Sequence, residues 1–448
     1  MDDLPPPLII EILSRLADST DLARCRVASK SLNALSREVR SINLFCTLPR
    51  YFHSRSQEST SAITSFKAVF NALVNNSRSV ESVSIGVDKS LAGISYDDVD
   101  DESDDLYLTD VMFVKEWLPR VCGDLRSLSI SDFWVQSCWR KSDILALISL
   151  YCQDLLRLEV KNAWLSVDGL NPIPKLTSLT LEFIRLDDED LTQVNYCFPG
   201  LQVLNLIGVG GLKEPKINLL CLKKCYWTVS NAPLSLAIFA PNLVELKLKC
   251  VKPKSLVLET AQLCNLYLSL EKANNMEIKE FRSLENLKLQ SANLSALISS
   301  FPSNSKITKL VVDSLKVIHP NELMKLSLEG LFDAFPNTRS LVVGSLAWSE
   351  METCFSTSGF RRRVGMTSLK ELSAQLVLQD SNVTWWFISC ILDECVNLSD
   401  VSLLFHHGVD RQSASALIGR CMARQPGVKW RLVMQKEGTE HTWISDGF

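Results

Sequence analysis

His406 and His407 stand side by side among only five histidines, and such an imidazole pair could move a proton or hold a metal. Neither use finds its companions in the chain. No nucleophile and carboxylate stand around the pair in an order that would make a catalytic set. The phosphate cradle GxxxxGK[ST], the dinucleotide loop GxGxxG and the zinc-protease pair HExxH do not occur. Gly208-Val209-Gly210-Gly211 falls in a turn after an apolar strand, where glycine supplies a positive φ with no phosphate involved. The fourteen cysteines include no CxxC pair. Cys221 with Cys225, and Cys390 with Cys395, lack further ligands; Cys221, Cys250 and Cys264 sit in apolar runs and read as buried thiols. We expect no catalysis, no metal and no cofactor.

Lysines offer a different chemistry, that of binding. Lys223, Lys247, Lys249 and Lys288, with Tyr267 among them, stand between or just after regularly spaced leucines. If the leucines point into a core, these side chains face solvent on parallel strands about 4.8 Å apart. They would then form one basic strip for an acidic or phosphorylated target. The same columns carry Ser129 and Ser131, Glu159 and Lys161, Thr180 and Glu182, Asn205 and Ile207, then Ser269 and Gln290.

The leucines that must position this strip recur as L-x-x-L-x-L. The instances are Leu125-Leu128-Ile130, Leu155-Leu158-Val160, Leu176-Leu179-Leu181, Leu201-Leu204-Leu206, Ile217-Leu220-Leu222 and Leu243-Leu246-Leu248. Leu263-Leu266-Leu268, Leu284-Leu287-Leu289, Ile307-Leu310-Val312 and Leu398-Val401-Leu403 continue them. With Val80-Val83-Ile85, Thr338-Leu341-Val343 and Leu369-Leu372-Ala374 they make about thirteen, their starts 16 to 45 residues apart with central values of 20 to 26. Proline in Phe198-Pro199-Gly200, Ala240-Pro241-Asn242 and Phe335-Pro336-Asn337 ends one return segment and admits the next strand. The array resembles a leucine-rich-repeat horseshoe, an α/β fold with parallel strands on the concave side. Val209, Ala163 and Ile184 stand where that family commonly has a polar ladder residue. Val428 to Met434 reads as a closing strand.

Three stretches interrupt the periodicity. SYDDVDDESDD, acidic over residues 97–105, reads as a solvated insertion. Gly359-Phe360-Arg361-Arg362-Arg363 reads as a solvated loop. Trp385, Trp386 and Phe387 precede Ile388, Ile391 and Leu392 and read as a helix packing its aromatics.

Ahead of the array stands LPPPLIIEILSRLADSTDLARCRVASKSLNAL. The prolines suit a first helical turn, whose amides lack intrahelical acceptors. Leu8, Ile12, Leu13 and Leu16 make one apolar stripe opposite Glu11 and Arg15. Asp18 to Asp21 offers caps for a second helix, and Ser29 for a third that carries Leu32, Leu35 and Val39. Three short helices have too little core to be secure alone.

This stretch resembles the F-box, through Leu4-Pro5, Ile12 to Leu16, Asp21-Leu22, Arg24-Cys25, Val27 and Ser29-Lys30-Ser31. Leu32 stands where that family usually has tryptophan, and Ala17-Asp18 where it has proline. The resemblance implies a Skp-type adaptor as partner and, through it, a cullin in an SCF ubiquitin ligase. It implies adaptor contact for Leu4, Pro5, Leu8, Ile12, Leu13, Leu16 and Leu22. The chain divides accordingly into a docking motif over 1–45 and a repeat solenoid over 46–448, similar to the F-box/leucine-rich-repeat group of plants. The reading that follows is a substrate receptor holding a target protein on its repeats. The other reading is a scaffold unrelated to ubiquitin whose helices cap the first repeat. There is no dense arginine cluster of the kind that holds an inositol phosphate in related hormone co-receptors.

A formal charge of -4 gives no global pull toward nucleic acid or anionic membrane. No run reaches the roughly 18 apolar residues of a membrane span. Asp2 and Asp3 stand where a secretory signal carries positive charge. The expected location is intracellular, in cytoplasm or nucleus.

Overall fold

The computed structural model describes residues 4–47, 49, 66–88, 106–133, 140–229, 234–250, 253–271, 275–278, 281–301, 306–315, 326–359 and 366–434. The acidic stretch 97–105 and the triple arginine lie outside them. The chain forms two compact units, 1–233 with 237–240, and 234–236 with 241–448.

The first unit opens with three helices, α1 (Pro6–Ser14), α2 (Ser19–Ala28) and α3 (Lys30–Ser36). Seven parallel strands follow: β1 (Ser41–Cys46), β2 (Ser82–Val87), β3 (Ser127–Ser131), β4 (Arg157–Lys161), β5 (Ser178–Glu182), β6 (Val203–Val209) and β7 (Lys224–Val229). Each pairs in register with the next, so one leucine-type position aligns along the row Ile42, Val83, Leu128, Leu158, Leu179, Leu204, Cys225. All of that row is buried. Helices α4 (Phe66–Asn75), α5 (Val111–Val121), α6 (Ile144–Tyr151) and α7 (Asp188–Cys197) return the chain between strands. Phe70 and Trp117, both fully buried, lock α4 to α5 through an edge-to-face contact of 5.2 Å.

The second unit repeats the plan with eight parallel strands. They are β8 (Glu245–Cys250), β9 (Asn265–Leu270), β10 (Asn286–Ser291), β11 (Lys309–Ser314), β12 (Ser340–Val343), β13 (Glu371–Leu376), β14 (Asp400–Phe405) and β15 (Lys429–Met434). Its return helices are α8 (Leu294–Ser299), α9 (Leu328–Ala334), α10 (Ser345–Ser358), α11 (Ser381–Glu394) and α12 (Arg411–Arg424). Where returns are short they become strands themselves, as Ser255–Glu259 pairing with Asn275–Ile278. In α11 Phe387 is buried against Trp348 and Phe355, but Trp386 is exposed. The aromatic run therefore packs in part.

The fifteen strands include two outside the thirteen sequence repeats. One is the closing strand, β15. The other is β1, whose Ile42 and Leu44 are buried, as is Val39 just before it. Val39 leads into this strand and does not extend the third helix. One repeat also shifts frame. Leu220 is exposed and Ile217 belongs to a minor strand, Lys216–Asn218; the buried set is Leu222, Cys225 and Trp227. Cys221, expected inside, is exposed, whereas burial pushes the Cys225 thiol up to about 12.

A buried carboxylate secures the entry to α5. Asp132, 1% exposed, follows β3 and accepts from the backbone amides of Leu108 and Thr109, each at 2.9 Å, and from Phe133 at 2.8 Å. Thr109 donates its hydroxyl to the same group. Burial outweighs these donors and raises the acid to about 6.

Candidate functional site

Two surfaces carry the residues singled out by sequence. The first is the outer side of α1. Pro5 caps this helix with Pro6 and Pro7 in its first turn, so chain stiffness and the absent amides start it without a side-chain cap. Asp18 caps α2 by accepting from the Thr20 amide at 2.9 Å. Between the helices Ile9, Leu13, Leu22 and Val39 form a small core, closed by Leu16, Cys25, Leu32 and Leu35. Ser19, buried at the start of α2, accepts the Asn43 amide of β1 at 2.8 Å.

This packing uses one side of α1 and leaves another bare. Leu4, Leu8 and Ile12 stay 39%, 52% and 44% exposed. Spaced four residues apart, Leu8 and Ile12 align along one line of the helix, with Leu4 one step before it. Pro5 is exposed as well, and Val27 on α2 is almost wholly so. Glu11 and Arg15, paired at 2.9 Å in solvent, add little stability.

The second surface is the face of the sheet opposite the leucines. In the second unit the register places Lys247, Tyr267, Lys288 and Val311 in one row across β8 to β11. Lys249, Ser269, Gln290 and Asp313 form the next row. The Lys288 ammonium lies 4.6 Å from the Tyr267 ring centre, a cation-π distance. The Tyr267 hydroxyl donates to Gln290 Oε1 at 2.6 Å, and Lys247 lies 3.5 Å from Glu245. Burial and then the Lys247 charge lower the Lys288 ammonium below its ordinary value, against the pull of Asp313. In the first unit the equivalent face is neutralised at Lys161, which bridges Glu159 at 2.9 Å and Glu182 at 2.7 Å.

A family model described as F-box-like matches residues 1–41. The F-box/LRR-repeat protein At4g29420 of Arabidopsis thaliana is 55% identical over 449 residues, covering 99% of this chain and 100% of that protein. The chain belongs to the F-box/LRR-repeat family. The F-box protein At1g10780 of the same plant is 23% identical over 230 residues, half of this chain and 48% of its own length.

Within this F-box/LRR-repeat protein, the expected site residues divide. Leu4, Pro5, Leu8 and Ile12 of the F-box helices face outward and Leu16 is half-buried, but Leu13 and Leu22 are spent on the F-box's own core. Helical periodicity marks a stripe; it does not say which edge of the stripe the neighbouring helices take. In the LRR array Lys247, Tyr267 and Lys288 come together and Lys249 sits one row away. Lys223 falls outside, in the stretch before β7, because the frame of that repeat starts at Leu222. The lysines are interleaved with Glu245 and Asp313, so no continuous basic strip forms. Val27, exposed on α2, was marked in the sequence by its match to the F-box pattern. Among the described residues no cluster of three or more His, Cys, Asp or Glu could hold a metal ion, and no helix is long and apolar enough to cross a membrane.

Proposed function

We propose that this protein is the substrate-recognition subunit of an SCF-type cullin ubiquitin ligase. Its F-box helices dock a Skp-type adaptor and its repeats hold a target protein. The observation that carries this reading is the apolar line of Leu8 and Ile12, with Leu4 just before it, bare on a helix whose other side packs into the small core. Burying a leucine or isoleucine side chain contributes about 1.5–3 kcal/mol, so a partner groove over Leu8 and Ile12 has an ample driving force. The scaffold reading accounts for the Ser19 bond to β1, which fastens the helices over the first repeat, but leaves that apolar line unexplained.

The protein performs no bond chemistry in this scheme. It raises the concentration of target near the transferring enzyme, an effect of linkage alone. Co-expression with a Skp-type adaptor tests the proposal. One complex on gel filtration supports it, and a soluble monomer that ignores the adaptor contradicts it.

A further inference from the structure

The exposed row of the second unit has a feature that solubility alone does not require. Lys247 and Lys288 stand two strands apart with the Tyr267 ring between them, a backbone separation of about 9.6 Å at the usual strand spacing. Lysines on a sheet face ordinarily extend into water. Here Lys288 is 7% exposed and lies against the tyrosine, while the Lys247 side chain is one-third exposed at 33%. The two side chains of the row thus differ in exposure, Lys247 the more open and Lys288 the more covered.

The surrounding residues define what fits. Tyr267 is held by its bond to Gln290, so the ring is a fixed wall. Lys249 and Lys309, in the flanking rows, add local positive charge without making a continuous strip. Glu245 and Asp313 limit it, since a doubly charged group between the lysines would also meet these two carboxylates. No arginine stands on β8 to β11 to offer the fork that favours phosphate.

We propose that Lys247, Tyr267 and Lys288 form a receptor for an acidic peptide segment of the target, a glutamate or aspartate carboxylate seating between the two ammonium groups. The proposal rests on the reading that the repeats hold the target. The incoming charge relieves the repulsion between the lysines, and the tyrosine face takes the methylene stem of the acidic side chain.

The test is fluorescence anisotropy of the full chain with a short fluorescein-labelled peptide of alternating glutamate and serine. Two comparison peptides carry glutamine in place of glutamate, one of them with phosphoserine in place of serine. The glutamate peptide binds, and its affinity falls with added salt. The double variant Lys247→Gln, Lys288→Gln weakens it about tenfold or more, while Lys370→Gln, at an exposed position outside the row, leaves it within about twofold. Should Lys288→Gln fail to fold, Lys247→Glu gives the same reading from the exposed end. Equal binding by the glutamine peptide, binding of the phosphoserine peptide alone, no binding to wild type, or an unaltered double variant each overturns the proposal. Adaptor co-elution of the double variant is measured beside it, so failure of the peptide site and failure of the ligase reading remain distinct.

Discussion

Ser19 and Asn43 join the F-box helices to the repeat array. The serine hydroxyl accepts an edge amide of the first strand at 2.8 Å, at a place where an open strand would otherwise offer pairing to another chain. Ser19→Ala removes the acceptor and leaves the amide without it. We expect a loss of about 1 kcal/mol in urea unfolding. An unchanged midpoint would show that the helices are not fastened there.

Leu8 and Leu13 sit on one short helix with opposite assignments. Leu13, buried among Ile9, Leu22 and Val39, leaves a cavity when cut to alanine, and Leu13→Ala is expected to destabilise by about 2–4 kcal/mol. Leu8→Ala, at an exposed site, is expected to shift stability by less than about 0.5 kcal/mol. Similar losses for the two would contradict the division of the α1 stripe.

That division shows what was legible in the sequence and what was not. The leucine period marked the repeats because it repeats the same burial twelve times over, each strand confirming its neighbours. It failed where other residue types take the leucine slots. Cys225 and Trp227 hid the true frame of β7 and misplaced Lys223, and Val39 fitted a helical spacing as well as the lead into β1. The paired lysines were readable as a column, but their interruption by Glu245 and Asp313 depends on register across strands, which one sequence does not display.

Asp132 makes stability depend on pH. Its acid is raised to about 6 from 3.8, so the folded chain holds this proton more tightly than the unfolded one. The contribution is fully present below about pH 4 and is lost as pH rises through about 6. The loss is about 3 kcal/mol as an upper figure. Urea unfolding of wild type against Asp132→Asn across this range reads it as a difference. The variant is expected to be less stable at neutral pH, since its amide meets donors with a donor, and to lack the decline. Parallel curves would contradict the assignment.

Phe183 and Gly208 meet at adjacent strand ends. Both adopt positive φ, 53° and 62°, and a Cβ on Gly208 would lie 2.7 Å from the Phe183 ring. Gly208→Ala therefore combines backbone strain of about 1–2 kcal/mol with a steric clash. In the Phe183→Ala background only the strain remains. A double-mutant cycle by thermal unfolding is expected to show coupling of about 0.5 kcal/mol or more; strict additivity would refute the contact.

The most direct test of the central claim is the affinity of the purified chain for a Skp-type adaptor. Leu8→Glu and Ile12→Glu place a charge on the bare line of α1, and each is expected to weaken binding by about a hundredfold, or about 2.7 kcal/mol, with an unaltered unfolding midpoint. Met112→Glu, exposed on α5, serves as the comparison and is expected to bind like wild type. Wild-type affinity in the two α1 variants would contradict docking through this face.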